Sequence, residues 1–274
     1  MMQFAINYSP QAAALLQREE IVIDRFKCPN WDWLIAEARQ FLQVYVHFDL
    51  IAGNGSVRQC DWAAVERQLA QTGTHYVNLH PDVRLRDFGF SAQPERRAEI
   101  ERVAEQVLAD LAWVSARVGA ERVLLENLPF RENARNPAAS MVRALSDPAE
   151  LSRIISAARV GLLLDLSHAA LSAPAFGLSE DAYIDALPLA RVGEVHVTGI
   201  GLVEGERRDH LPMTAPDWTR FAGFIQRLRA GAMGRPAIVA FEYGGVGEKF
   251  AWRSDSEVIR RDGQKLYYGV HSAL

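Results

Sequence analysis

Eight short apolar runs recur along the chain, and most carry a polar or charged residue near their end. They are Gln3–Ser9, Glu20–Phe26, Phe41–Asp49, Thr74–His80, Arg122–Leu128, Val160–Leu166, Val192–Gly199 and Ala237–Gly244. Their shortness and their β-branched and aliphatic content predict strands buried on both faces, as a parallel sheet requires. Amphipathic stretches lie between them. In Pro94–Gly119 the residues Ile100, Val103, Val107, Leu111 and Val114 recur at helical spacing, with a proline near the start and a glycine at the end. Ser146-Asp147-Pro148 reads as a helix start, and Thr214 or Asp217 serves as the cap of a later one. Eight strand–helix alternations in 274 residues predict a single-domain α/β fold over residues 1–274, a (β/α)8 TIM barrel. A doubly wound open sheet is the alternative, but no glycine-rich phosphate loop follows the first strand.

Composition narrows the function classes. At 49% hydrophobic the chain can bury a large core, and a net charge of −4 gives no broad electrostatic reason to bind nucleic acid. The two cysteines, Cys28 and Cys60, form neither a metal-binding pair nor a disulfide framework. No run reaches the roughly 18 apolar residues of a membrane span. These features predict a cytoplasmic protein with no membrane segment.

The polar residues fall where a parallel barrel places its active site, at the C-terminal ends of the strands. His47 ends the third run and His80 the fourth. Glu126 lies late in the fifth, Asp165 and then His168 follow the sixth, His196 lies in the seventh and Glu242 late in the eighth. The loop after the seventh run adds Asp209 and His210. Period-two alternation places Tyr45 with His47, Leu163 with Asp165, Glu194 with His196 and Ala240 with Glu242 on common faces. Several carboxylates converging in one desolvated space repel one another, and divalent cations relieve that conflict. Mixed imidazole and carboxylate donors suit zinc, manganese or iron. Each residue also has a plainer role available. Asp165 and His168 fit a loop hydrogen-bond pair, Asp209 and His210 a solvated charged loop, and Glu126 an ion pair with Arg122 or Arg131. Glu194 reads as bridged to a basic partner.

The order His47, His80, Glu126, Asp165-x-x-His168, His196, Asp209-His210, Glu242 resembles the xylose isomerase-like TIM-barrel superfamily, which includes sugar isomerases and epimerases and endonuclease IV. Within it the chain most resembles the domain of unknown function 692 family. That family contains multinuclear iron enzymes that modify cysteines of precursor peptides, such as the methanobactin oxidase. The segments carrying the likeness are VHFDLIAGNG, NLHP, LLENLPF, GLLLDLSHAALSA, YIDALPLARVGEVHVTG and RDHLPMTAPDW. The resemblance implies metal ligands at His47, His80, Glu126, Asp165, His168, His196 and Glu242, with Glu126 and Glu242 as bridging or catalytic carboxylates; Asp209 and His210 complete the candidate set. Three departures stand out. His168 replaces the family's usual Asn, giving the endonuclease-like Asp-x-x-His. Gly199-Ile200 replaces Gly-His, and adjacent Asp209-His210 replaces Asp-x-His. Metal identity and number stay open for that reason.

What the resemblance implies is an iron-dependent oxidative enzyme with two or three divalent ions, acting on a peptide or small molecule, with a small partner protein presenting the peptide. Zinc and manganese are the other candidate metals. The alternatives are a metal-dependent sugar isomerase or epimerase and an endonuclease IV-like phosphoesterase. A catalytically inactive barrel acting as a partner subunit is the non-enzyme reading. Against the isomerase stands the expectation that none of the three lysines, Lys27, Lys249 and Lys265, lies late on an inner strand.

Overall fold

The computed structural model describes residues 2–273. Among them the strands are β1 (Gln3–Asn7), β2 (Arg25–Pro29), β3 (Val44–His47), β4 (Leu50–Ile51), β5 (Val77–His80), β6 (Val123–Glu126), β7 (Gly161–Asp165), β8 (Val192–Val197), β9 (Gly199–Val203), β10 (Glu206–Leu211) and β11 (Ile238–Phe241). The α-helices are α1 (Pro10–Gln17), α2 (Asp32–Ala38), α3 (Trp62–Thr72), α4 (Arg97–Val118), α5 (Pro148–Ala158), α6 (Leu166–Ser172), α7 (Glu180–Asp185), α8 (Ala215–Arg229), α9 (Ser256–Val258) and α10 (Gln264–His271). Two compact units are distinguished. The first comprises the chain up to His47, Ala63–His75 and everything from Gly193 onward; the second comprises Phe48–Trp62 and Tyr76–Val192. No helix among the described residues is long and apolar enough to cross a membrane.

The first unit holds the parallel strand order β3-β2-β1-β11-β8. Its register pairs Lys27 with Tyr45, Ala5 with Ala240 and Ala240 with His196. Small residues explain how a large ring fits here. Ala5 and Ala240 pack with Tyr45 and Ile238 in one buried cluster, so the alanines leave the volume that the tyrosine fills. β9 and β10 form an antiparallel hairpin, whose strands pair Glu206 with Val203. The segment after β8 is therefore an ordered ribbon.

The second strand is displaced from the expectation of Glu20–Phe26. The apolar stretch Ile21–Ile23 is extended but does not pair. Ile21 and Ile23 are buried while Val22 is exposed. Asp24 accepts a hydrogen bond from the Phe4 amide at 2.6 Å, and the ladder with β1 begins only at Arg25. Alternation signals burial of one face, and a cover segment satisfies that as well as a strand does.

The second unit holds the parallel order β7-β6-β5-β4. β4 was not foreseen; it pairs Leu50 with Leu79 and Ile51 with His80. Asn78 holds its start, with its side-chain oxygen accepting from the Phe48 amide (2.7 Å) and its amide donating to the Phe48 carbonyl (2.9 Å). Helix ends follow the sequence signals. Asp147 caps α5 through the amides of Ala149 and Glu150, with Pro148 in the first turn. Thr214 and Asp217 form a reciprocal capping box on α8, so both candidate caps are used. α4 stops at Gly119, whose φ of 92° lies in the left-handed half of conformational space that glycine tolerates.

One polar residue interrupts the apolar stripe of α4. Asp110 is fully buried, accepts from the amides of Gly53 (2.8 Å) and Gly55 (2.9 Å), and pairs with Arg58 at 3.2 Å. It fastens the loop after β4 to the helix. Asp110→Ala leaves two amide donors without their acceptor. We expect it to lower unfolding stability by about 2–3 kcal/mol, measured by chemical denaturation, with Arg58→Ala costing less because its side chain is largely solvated.

Candidate metal centre

In the second unit, β5, β6 and β7 each deliver donors at or just past their C-terminal ends. Glu126 ends β6, and its two oxygens lie 2.9 Å from His80 Nε2 and 3.2 Å from His168 Nδ1. Asp165 closes β7 and caps α6, with Oδ1 accepting from the amides of Ser167 (2.7 Å) and His168 (2.8 Å). Its Oδ2 lies 3.6 Å from His168 Nδ1. The cap and the candidate ligand are thus the same residue, one oxygen serving each role. His168 sits in the first turn of α6, and its Nδ1 is 3.0 Å from the Asn127 carbonyl. Asn127 also joins the strand ends, accepting from the Asp165 amide (2.8 Å) and donating to the Asp165 carbonyl (2.9 Å). Glu126, Asp165 and His168 are all buried, and each offers a ligand atom within 4.8 Å of the others. Asp49, 3.8 Å from His80 Nδ1, remains solvent-exposed at the edge. Two buried carboxylates with two imidazoles form a donor set that fits a divalent transition metal.

The first unit gathers a different set. Lys27 on β2 is 5% exposed, forms an ion pair with Glu242 Oε1, and places Nζ 3.1 Å from His196 Nε2 and 3.5 Å from His196 Nδ1. Sequence reading expected no lysine late on an inner strand; Lys27 lies at the middle of β2 and is buried. The displaced β2 carries Lys27 inward in register with Tyr45. Glu194 accepts from the Tyr45 hydroxyl (2.9 Å) and lies 2.8 Å from His196 Nε2, so its neighbours are a phenol and an imidazole. His47 packs beside His196, ring centroids 5.1 Å apart.

Asp209 and His210 lie on β10, where Asp209 is buried, so the pair is not a solvated loop. His210 has φ of 60°, and its Nδ1 is 2.9 Å from the Glu242 carbonyl. The two side chains stand 4.0 Å apart. Burial opposes protonation of His196, but Glu242 and Glu194 outweigh it against the opposing charge of Lys27, and its pKa is raised. For His210 burial prevails over Glu242 and Asp209, and its pKa is lowered. Burial and the adjacent Glu194 carboxylate hold the Tyr45 phenol well above its usual range.

A cavity of about 240 Å³ opens in this unit, with Lys27, His47, His210, Glu242 and Arg253 among its walls and Tyr8, Trp31 and Phe250 supplying aromatic surface. Arg253 stacks on Phe250 with its guanidinium 4.5 Å from the ring centre. Lys27 and Arg253 are the residues that sequence reading missed. The alternation of Phe26 and Cys28 around Lys27 was the available signal for the first; a basic residue in a loop beyond β11 offers none for the second.

Comparisons with known proteins bear on this arrangement. Residues 100–220 match the family model of the RiPP precursor modification enzyme MbnB/TglH/ChrH. A UPF0276 protein of Caulobacter vibrioides is 29% identical over 164 residues, which is 57% of this chain and 51% of that protein. The chain spans about half or less of the length of the curated relatives it matches. Among solved structures, the IOLI protein with a binding zinc atom aligns over 100% of this chain and 99% of its own, at 13% identity and a TM-score of 0.63. Endonuclease IV from Thermus thermophilus aligns over 92% and 96% of the two chains, at 17% identity and a TM-score of 0.51. The fold is a TIM barrel. The likeness to the precursor-modification family runs from α4 into α8 and includes Glu126, Asp165, His168, His196, Asp209 and His210.

The Lys27–Glu242 pair yields a stability prediction. In metal-free protein, Lys27→Met leaves the Glu242 carboxylate without its nearest cation. We expect a loss of about 3–5 kcal/mol in urea unfolding. The double variant Lys27→Met/Glu242→Gln should recover most of that loss.

Proposed function

We propose that the chain is a divalent-metal enzyme that oxidatively modifies a cysteine-bearing precursor peptide. The observation that carries this reading is the buried Glu126, Asp165 and His168 group, which falls inside the stretch matching the peptide-modification family. Iron is the metal of this reading, two or three ions in all, with zinc or manganese as alternatives. When bound, such ions supply Lewis acidity and, for iron, one-electron chemistry. His80, Glu126, Asp165 and His168 are the residues best arranged to hold them. His47, His196, Asp209, His210 and Glu242 complete the ligand set that the resemblance implies.

The chain's own groups do the remaining work. The Asn127 carbonyl beside Nδ1 of His168 fixes the ring, directing Nε2 to the donor role. Glu126 and Glu242 are the carboxylates that hold and move protons. The cavity beside Glu242, with its aromatic wall and the Arg253 guanidinium, receives part of the substrate. A small partner protein presenting the peptide belongs to the same reading, as does a cytoplasmic location. The net charge of −4 weighs against an endonuclease-like role.

A specific observation also favours a second reading. Lys27, buried against Glu242, supplies the acid–base lysine that a sugar isomerase or epimerase uses, and the fold is shared with such enzymes.

Elemental analysis of protein purified without chelator tests the metal. We expect bound divalent ions, with Asp165→Ala and His168→Ala lowering metal affinity at least about tenfold while the chain stays folded. Variants that retain full metal content would overturn the site. Mass spectrometry of a cysteine-bearing precursor peptide after incubation separates the reactions: oxidation changes peptide mass, whereas an isomerase leaves the peptide untouched and interconverts sugars of equal mass.

A further inference from the structure

We infer that Lys27 stands in for a metal ion at His196 and Glu242, so that this part of the site carries a fixed charge in place of one ion. The inference rests on the metal reading above and refines it. A single atom, Lys27 Nζ, lies among Glu242 Oε1 and the two ring nitrogens of His196. Those side chains are the donors that the resemblance assigns to metal, and all three residues are buried.

Two cations do not share this space. A divalent ion needs its nitrogen and oxygen donors at about 2.0–2.2 Å. An ammonium bonded to the Glu242 carboxylate and close to both His196 ring nitrogens repels the ion strongly in a desolvated setting. Lysine has three donors and no acceptor, so Lys27 cannot itself become a ligand while protonated.

A second observation agrees. The strand end after His196 reads Gly199-Ile200 where the resembling family has Gly-His. Ile200 is buried, so an apolar side chain takes the place of a further imidazole. In the second unit His80 and His168 lie beside Glu126, and His168 beside Asp165 and the Asn127 carbonyl.

The test compares wild type with Lys27→Glu, Lys27→Gln and Lys27→Arg. Each is equilibrated with excess Zn2+, desalted, and analysed for metal per chain. Lys27→Glu, which puts a carboxylate where the ammonium stood, should retain roughly one more zinc per chain than wild type. Adding His196→Ala should abolish that gain, and Lys27→Arg should keep the wild-type ratio. Melting temperature with and without Zn2+ guards against misfolding: zinc should raise it more in Lys27→Gln and Lys27→Glu than in wild type. Equal ratios and equal zinc-induced shifts in wild type, Lys27→Gln and Lys27→Glu would overturn the inference. A wild-type chain that holds no metal at all refutes the function reading instead, and the lysine still stands or falls on whether its replacement by glutamate adds an ion.

Discussion

A carboxylate taken out of water must find positive charge within a few ångströms, or give up its own charge. Everything distinctive about this chain follows from how it meets that demand. Glu126, Asp165, Glu194 and Glu242 are all buried. Glu126 and Asp165 meet imidazoles, Glu194 meets a phenol and an imidazole, and Glu242 meets a full ammonium. The two units therefore solve one electrostatic problem differently. One is built from neutral-or-charged partners that an ion can displace or join. The other carries its own cation.

Much of this was legible in the sequence. The phase of His47, His80, Glu126, Asp165, His196 and Glu242 at strand ends was readable because a strand places alternate side chains on one face, and the apolar runs locate the strands. Asp165 was ambiguous between cap and ligand for a physical reason: a carboxylate has two oxygens, and here each takes one role. Lys27 was not legible because Ile21–Ile23 imitates a strand. Burial of alternate residues leaves the same trace whether the backbone pairs with a neighbour or with nothing, and an error of a few residues moved the lysine off its strand. Asp209 was open between a ligand and a solvated loop. Its neighbours Arg207 and Arg208 suggest solvent, yet the hairpin turns the acid inward while Arg208 stays outside.

Side chains that are not themselves candidate ligands still decide where those ligands sit. Asn127 extends the hydrogen-bond ladder one step beyond β6, fixing the end of β7 and with it both the cap and the metal-facing oxygen of Asp165. Asn78 does the same for the segment entering β4. Asparagine suits both places because one amide offers a donor and an acceptor in a plane, matching a peptide group. An aspartate in either place would lack the donor that the facing carbonyl needs.

The Lys27 ammonium also has a consequence in time. An ion must diffuse in after its ligands exist, and its arrival depends on supply. A tethered cation is made with the chain, and it is at hand as soon as β2 forms beside β3. The ends of β2, β8 and β11 can draw together on it before any ion is captured. The Lys27–Glu242 contact itself needs nothing supplied from outside the chain.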